Sequence, residues 1–371
     1  MKRTMILLAL ASVGMTAMAQ TDNQQQLPVL NETEKTSQYI PVTQYWKEHN
    51  IFQHLDLSVT AGTTGIGIDV ASPIGDYVQL RAGYEFMPRF TKKMQFDVML
   101  GDQPARQYDA NGNRVETQFD RLAEMLYTYT GYEVDDHIDM EGKPTMNNFK
   151  LLVDVFPFKN NKHWHFTAGF YWGPSKFAEA VNTTEAMTSL LSLGMYNQMY
   201  EKAQGKDPDR DLVELVRIPD PNDPDEPYVY YMTSDMVRQF QSYGRMGFGL
   251  GEYTHDVYDK NGNLIHSEGD KYVMEPDDRG MVRVRAKSNA FKPYLGFGYG
   301  GRLMKDRDDW KVSFDAGVWF WGGTADLYTH DGTNLTKDVR NIKGQVGDYV
   351  DLFKAFKVYP CLSVRFTKTI F

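Results

Sequence analysis

The sequence predicts an all-β protein, an eight-stranded antiparallel transmembrane β-barrel with long, partly helical extracellular loops. Three observations predict this class. Segments in which apolar and polar residues alternate recur along the chain, as in strands that face lipid on one side and a polar lumen on the other. The connections between these segments are mostly short on one side and long on the other. Aromatic residues make up 13% of the chain, which suits aromatic girdles at the two membrane interfaces.

Composition excludes several other classes. After the first 20 residues no stretch approaches the roughly 18 apolar residues that a membrane-spanning helix needs, while a hydrophobic content of 42% is too high for general disorder. The 40 basic and 49 acidic residues give a net charge of −9, so no nucleic-acid partner is expected. The single cysteine, Cys361, excludes an internal disulfide and a cysteine-based zinc site.

The N-terminus carries the features of an export signal. Lys2 and Arg3 precede an apolar run, and Ala17-Met18-Ala19 supplies the small residues that a signal peptidase recognises. No cysteine follows this site, so a lipoprotein anchor is not expected. The predicted organisation is therefore a signal peptide at 1–19, a periplasmic leader at 20–53, and an outer-membrane barrel at 54–371.

Eight segments show the alternation of a half-exposed strand, and most are long enough to span a membrane with about 9 to 11 residues. The first two are short and are separated by only Gly62-Thr63-Thr64-Gly65, so residues 55–71 are either two strands or one long bent strand. The predicted strands lie at 55–62, 66–71, 78–86, 149–155, 164–172, 291–300, 310–320 and 357–366.

The connections favour a barrel over a periplasmic sandwich, the alternative that alternation alone leaves open. Tight turns rich in Asn, Asp, Gly and Lys follow the second, fourth and sixth strands. Long connections follow the third, fifth and seventh, at about 91–146, 175–288 and 323–354. This arrangement is typical of outer-membrane barrels with periplasmic turns and extracellular loops. An even strand number also leaves both termini on the turn side.

Aromatic residues mark the two predicted membrane interfaces. Trp164 and Trp310 follow turns, whereas Trp172 and Phe320 lie one membrane thickness further along the same strands. At the outer end of the lumen, Tyr171, Trp319 and Trp321 form a possible ligand patch at the barrel mouth. The alternative is that these rings fill the mouth beneath the loops.

Charged residues at the strand positions that alternate toward the lumen predict a charge network inside the barrel. Five acids face six bases there, and an eight-stranded barrel has room inside only for side chains, so these charges should pair. The alternative is an ion-conducting pore. The predicted network comprises Asp56, Asp69, Arg81, Glu85, Lys150, Asp154, Lys292, Lys311, Asp315, Lys357 and Arg365.

The long loops should carry their own structure. Helical spacing predicts one helix through Ala186 to Met199 capped by Asn182 or Thr183, a second over 235–243 capped by Ser234, and a third near Phe119. Asn-Gly pairs within 109–113 and 259–263 predict hairpins.

Candidate chemistry in the loops is sparse, and no catalytic motif, metal site or cofactor site is predicted. Two acidic clusters could bind a hard cation, with solvated loops as the alternative. Two adjacent His-Asp pairs could activate a serine as a catalytic nucleophile, but each pair lies in a turn-rich loop. The clusters are Asp220, Asp223, Asp225 and Glu226, and Asp135, Asp136, His137 and Asp139; the pairs are His255-Asp256 and His330-Asp331.

The strand segments resemble a known family. DLSVTAGTTGIGIDVASPIGDYVQLRAGYEF, LLVDVFPF with HWHFTAGFYWG, and FKPYLGFGYGGRL with VSFDAGVWFWGG are similar to Bacteroidota-type outer-membrane β-barrel proteins, broadly OmpA-like or OmpW-like. The resemblance covers the strands but not the long loops, and implies that Phe371 is an assembly signal for the barrel assembly machinery. Thr369, Thr367 and Arg365 share the parity of Phe371 where apolar residues are usual. Either a bulge restores the register or the last strand frays.

The predicted function is a structural or surface-binding role through the loops, with a filled, non-conducting lumen. The expected partners are outer-membrane lipid, the barrel assembly machinery, and a cell-surface or envelope protein. The alternative is passage or binding of a small solute or hydrophobic ligand at the barrel mouth. An envelope enzyme acting on lipid is the third hypothesis.

Overall fold

The computed structural model describes residues 42–49, 51–158, 160–221, 223 and 225–371. The predicted signal peptide and most of the predicted leader lie outside these residues. In chain order the elements are α1 (Val42–Glu48), β1 (Asp56–Gly62), β2 (Gly65–Pro73), β3 (Val78–Phe86), β4 (Lys92–Asp97), β5 (Met99–Leu100), β6 (Gln103–Pro104), β7 (Gln107–Tyr108), β8 (Arg114–Val115), α2 (Gln118–Thr130), β9 (His137–Pro144), β10 (Asn147–Val155), β11 (Trp164–Trp172), β12 (Lys176–Asn182), α3 (Met187–Ala203), β13 (Glu214–Ile218), β14 (Tyr228–Tyr231), α4 (Ser234–Tyr243), β15 (Met246–Tyr253), β16 (Val257–Tyr258), β17 (Leu264–His266), β18 (Lys271–Met274), β19 (Arg283–Lys287), β20 (Phe291–Met304), β21 (Arg307–Phe320), β22 (Asp326–Thr329), β23 (Val339–Arg340), α5 (Gly344–Ala355) and β24 (Val358–Thr369).

Eight of these strands close into one antiparallel barrel, which confirms the predicted fold class. The order around the barrel is β1, β2, β3, β10, β11, β20, β21 and β24, and β24 pairs with β1 to complete the ring. Residues 55–71 form two strands, because Gly62 pairs with Gly65 across a two-residue turn. Gly65 has a φ of 114°, a conformation that glycine adopts without strain.

The barrel has apolar residues outside and polar residues inside, the reverse of a soluble protein. Along β1, Leu57 and Val59 are exposed, whereas Asp56 and Ser58 are buried in the lumen. Exposed apolar side chains of this kind are stable only in lipid, so the barrel spans a membrane. Trp164, Trp172 and Phe320 also point outward, and the Nζ of Lys368 lies 5.2 Å from the ring centroid of Trp310. Among the described residues, no helix is both long and apolar enough to cross a membrane.

The last strand needs neither a bulge nor a frayed end, so both alternatives raised for it are wrong. Its register against β1 runs without a shift from Ser363 to Thr369, and Ile370 N donates to Leu55 O at 2.8 Å. Thr367 points into the lumen, while Phe366 and Ile370 point outward. The outward apolar series therefore ends at Ile370, one residue before Phe371.

The barrel wall continues beyond the membrane on the side of the long connections. The strands of a second sheet, in the order β4, β9, β12, β19 and β22, extend β3, β10, β11, β20 and β21 in that same order. We call this five-stranded sheet the extension sheet. Together with the rest of residues 87–146, 173–290 and 321–357 it forms the loop domain. The predicted loops thus begin as prolonged barrel strands.

Helices and hairpins complete the loop domain. Thr117 and Asp120 form a capping box at α2, and Thr233, one residue earlier than predicted, caps α4. Asn182 ends β12 and does not cap α3, which begins after Ala186. Both Asn-Gly hairpins form, as β7–β8 and β16–β17. The helix α5 was not predicted, because Gly344 and Gly347 interrupt its pattern.

Because apolar side chains of the barrel wall face lipid, a charged residue placed on that face should destabilise the protein. Leu295 is 55% exposed and pairs with Ala168 midway between Trp164 and Trp172, near the centre of the membrane. We expect Leu295→Arg to lower the free energy of unfolding by about 2 to 4 kcal/mol, because the cation must enter lipid. Urea unfolding in phospholipid vesicles measures this. Leu212→Arg, at a site 80% exposed in the loop domain, is the control and should change little.

Candidate functional site

An ionic network crosses the lumen of the barrel. The carboxylate of Asp154 on β10 accepts from Arg81 Nη2 at 2.7 Å and from Thr167 Oγ1 at 2.7 Å. It also lies 3.4 Å from Arg365 Nη1 on β24. In the ring of eight strands, β10 and β24 are four positions apart, on opposite sides of the barrel. The contact between Asp154 and Arg365 therefore spans the lumen.

The same arginine reaches a second carboxylate. Arg365 Nε lies 3.3 Å from Asp315 Oδ2, and Asp315 Oδ1 lies 2.6 Å from His165 Nε2. His165 was not among the predicted network residues, although its inward parity was visible in the sequence. A Cβ at Gly298 would overlap both the Asp315 carboxylate and the His165 ring, so this glycine makes room for the pair.

A separate group of charges lies further towards the loop domain. Lys150 Nζ contacts Asp69 Oδ1 at 2.8 Å and Glu85 Oε1 at 2.5 Å, and all three side chains are almost fully buried. Asp69 also accepts from Thr60 Oγ1 at 2.8 Å. We call Lys150, Asp69 and Glu85 the Lys150 group. Each charge in this group has an opposite charge in contact, which offsets the cost of removing it from water.

Four of the predicted network residues lie away from these two groups. Asp56 is buried at the turn side, where Thr369 and Gln79 donate to it and the partly exposed Lys311 is 3.9 Å away. Lys292 is 1% exposed but contacts Asn148 Oδ1 at 3.2 Å rather than a carboxylate. The prediction for Lys357 is wrong, because this residue is exposed in the bend before β24.

Aromatic rings close the loop side of the lumen. Trp319 is 0% exposed and packs between Tyr171 and Tyr359, at centroid distances of 4.8 and 5.2 Å. Trp321 is also buried and lies 5.5 Å from Tyr359. The structure brings together the three residues of the predicted mouth patch, but they are packed against other side chains. As arranged here, they leave no open ligand site at the mouth.

The aromatic contacts continue into the loop domain and end at a cavity. Phe177 on β12 lies 5.3 Å from Trp321 and 5.8 Å from Phe353 on α5. Phe353 lines an apolar cavity of about 230 Å³ between the extension sheet and α5. Sequence analysis missed this site because its walls come from segments that are remote in sequence. The other lining residues are Phe90, Lys92, Met94, Phe96, Gly142, Lys143, Pro144, Ala178, Glu179, Ala180, Val284, Ala286, Leu327, Leu335, Val346, Tyr349 and Val350.

A second cavity, of about 390 Å³, opens on the turn side of the barrel. Asp56, Lys311 and His163 are among its lining residues, and Arg365 and His165 line its inner end. Solvent from the turn side therefore reaches the base of the network. The cross-lumen contact of Arg365 with Asp154 lies at that end.

The outer face of the extension sheet carries charged residues. Glu179 accepts from Lys176 Nζ at 2.8 Å and from Arg285 Nε at 3.0 Å. Partial burial disfavours the charge on Glu179, but these two hydrogen bonds outweigh it and lower the pKa of this carboxyl group. The opposite face of the sheet presents Ala178 and Ala180 to the cavity. Polar residues thus face water and apolar residues face inward.

Two of the acidic candidates in the loops, Asp136 and Asp331, have partners of their own. Asp136 contacts Arg114 at 3.0 Å and His137 at 2.6 Å, so its carboxylate is already neutralised. Asp331 accepts from Thr329 Oγ1 at 2.5 Å and from Tyr272. Within the part of the chain that the structure describes, no three His, Cys, Asp or Glu residues are grouped as metal ligands.

Comparisons with known proteins gave a likeness of fold only. Neither the protein-family models nor the curated proteins contain a match to the chain. A crystal structure of Acinetobacter baumannii CarO2 is 12% identical, with a TM-score of 0.34, over 85% of this chain and 98% of that one. A crystal structure of Acinetobacter baumannii CarO is also 12% identical, with a TM-score of 0.33, over 85% of this chain and 97% of that one. At these values the likeness carries no argument about function.

The geometry itself gives the class of protein. A closed antiparallel barrel with an apolar outer band is the form in which β-strands span a membrane. The chain is an outer-membrane β-barrel protein.

The Lys150 group predicts a non-additive mutational effect. Lys150→Ala leaves Asp69 and Glu85 buried without their cation, and we expect it to lower the free energy of unfolding by about 3 to 5 kcal/mol. The triple variant Asp69→Asn, Glu85→Gln, Lys150→Met removes all three charges and should lie close to the wild type. Urea unfolding of both variants measures the difference. Equal losses in the two variants would contradict the pairing.

Proposed function

We propose that this protein is a non-conducting outer-membrane barrel, broadly OmpA-like or OmpW-like, whose loop domain is a binding surface outside the cell. The single observation that carries the proposal is the contact of Arg365 with Asp154 across the lumen. A bridge between opposite strands obstructs the path that a solute would take. In this role the barrel anchors the loop domain, and its activity is binding rather than catalysis.

The aromatic layer supports the non-conducting lumen. Tyr171, Tyr294 and Trp319 form a contiguous cluster of buried rings next to the Lys150 group, since Tyr171 pairs with Lys150 on the neighbouring strand. A solute crossing the lumen would have to displace these rings as well as the charges. The rings and the ionic contacts therefore obstruct the lumen together.

The loop domain offers exposed surface for a partner. The ribbon formed by β13 and β14 exposes large apolar and aromatic side chains, among them Val216, Ile218, Tyr228 and Tyr230. Clustered exposed apolar residues mark interaction sites more often than they occur on inert surfaces. Tyrosine combines a large contact area with a hydroxyl group, which suits contact with another cell-surface or envelope protein.

A second candidate function is the binding of a hydrophobic ligand. The specific observation that favours it is the apolar cavity between the extension sheet and α5. The sequence analysis placed such a ligand at the barrel mouth, where Tyr171, Trp319 and Trp321 are packed against other side chains. We therefore assign the hydrophobic ligand to the apolar cavity instead of the mouth.

Conductance tests the obstruction of the lumen. In planar bilayers we expect no current steps from the wild-type protein, because the bridge and the rings occupy the path. The variant Arg81→Ala, Asp154→Ala, Arg365→Ala, Tyr171→Ala, Trp319→Ala removes both the bridge and the rings and should give resolvable steps. The change in gel mobility on heating shows that each protein is folded. Steps of similar size from the wild type would contradict the proposal.

Proteolysis tests the side on which the loop domain lies. An external protease added to intact cells should cut only within about 91–146, 175–288 and 323–354, if the loops face outward. The barrel strands should remain in the membrane. Cuts within these three ranges that appear only after the outer membrane has been permeabilised would place the loop domain in the periplasm and contradict the proposal.

A further inference from the structure

The apolar cavity has the construction of a ligand site. Its floor is the inner face of the extension sheet, where small residues occupy neighbouring strands: Gly142 pairs with Ala180, and Ala178 pairs with Ala286. Its roof is one face of α5, formed by Val346, Tyr349, Val350 and Phe353, which recur at helical spacing. Small residues opposite a helix normally let it pack closely, yet here a hollow remains.

The cavity is partly open to solvent, because the exposed residues Phe90 and Lys92 belong to its lining. Its volume can be compared with that of a known apolar ligand cavity. An apolar cavity of about 150 Å³ stays dry and binds benzene. The present cavity measures about 230 Å³, so it holds a larger apolar group. The five strands of the floor, about 4.8 Å apart, span roughly 19 Å, which suits an extended chain more than a compact ring system.

One edge of the hollow carries a positive charge. Lys92 pairs with Gly142 and lies in the same row of the sheet as Gly142 and Ala180, on the edge strand β4. Lys92 is exposed and makes no ion pair with any residue that the structure describes. The other two charged residues of the lining are already paired, Lys143 with Glu141 and Glu179 with Lys176 and Arg285. Next to Lys92, Phe90 is 58% exposed and also lines the cavity. An amphiphile with an anionic head fits this edge, with its apolar tail lying along the row.

The cavity also lies near a source of such molecules. Pro144 lines it only three residues before β10 begins at Asn147, which corresponds to about 10 Å along the strand. The site is therefore close to the membrane surface. We propose that the cavity binds one single-chain alkyl carboxylate of medium length, with the tail between the extension sheet and α5 and the carboxylate at Lys92. This inference deepens the binding role proposed above for the loop domain and rests on it.

Equilibrium dialysis of the full chain in phosphatidylcholine nanodiscs tests the site, with empty nanodiscs as the blank. We expect saturable binding of decanoate to one site. Lys92→Gln should weaken decanoate binding about three- to fivefold, the effect of one partly solvated ion pair, and leave decanol binding unchanged. Binding of decyltrimethylammonium should be weaker than that of decanoate in the wild type. The absence of saturable decanoate binding would overturn the proposal, and equal loss of decanoate and decanol binding in Lys92→Gln would overturn the assignment of the head group.

Variants of the cavity wall show whether a loss of decanoate binding comes from filling the cavity or from misfolding of the protein. Ala180→Leu fills the hollow and should abolish decanoate binding. Ala355→Leu, on the exposed end of α5 and outside the cavity, is the matched control and should bind as the wild type does. Phe353→Ala enlarges the hollow and should shift the preference from decanoate to dodecanoate. Wild-type affinity in Ala180→Leu, or equal loss in Ala355→Leu, would overturn the proposal.

Failure of this inference and failure of the proposed function can be told apart. Dialysis with nanodiscs does not depend on which side of the membrane the loop domain faces. Proteolysis of intact cells depends only on that orientation. Absence of decanoate binding together with external cuts would leave the surface role intact while rejecting the alkyl carboxylate as ligand.

Discussion

The contact between Asp154 and Arg365 is the interaction on which the rest of the barrel depends. It joins β10 to β24 across the lumen, and each partner also holds a second charged group, Arg81 for Asp154 and Asp315 for Arg365. Lipid requires an apolar outer face, and strand alternation then turns the polar residues inward, where most of the network charges are buried away from water. Opposite charges in contact are the arrangement that makes such an interior stable.

The polarity of the wall reverses where it leaves the membrane. On the extension sheet, Glu179 and Arg285 point outward into water, while Ala180 and Ala286 point inward. The same sheet therefore needs an apolar cover on its inner side once lipid no longer covers its outer side. The helix α5 supplies that cover. Because β1, β2 and β24 have no counterparts in the extension sheet, this sheet continues only part of the circumference of the barrel.

The barrel could be predicted from the sequence to a much greater extent than the loop domain. Alternation along a strand such as Trp164 to Trp172 depends only on neighbouring residues, and it gave all eight strands and the inward position of Asp154 and Arg365. Near the C-terminus the alternation gives the wrong faces when it is counted from Phe371, because the outward-facing residues of the last strand end at Ile370. Lys357 was misplaced because the alternation was extended past the start of β24. The cavity could not be predicted, since Lys92, Ala180 and Phe353 come together only through the tertiary fold.

The seal and the cavity together determine what a bound ligand could do. Phe177 and Trp321 lie between the cavity and the lumen, and beyond them Trp319 packs between Tyr171 and Tyr359. Passage from the cavity into the barrel would require these buried rings to separate and would then expose an apolar ligand to the Lys150 group. Each step costs free energy, the first through lost packing and the second through an unfavourable environment for the ligand. If the proposed ligand binds, it should therefore be more stable in the cavity than along the lumen. The proposed role of the cavity is accordingly retention at the loop domain rather than transit through the membrane.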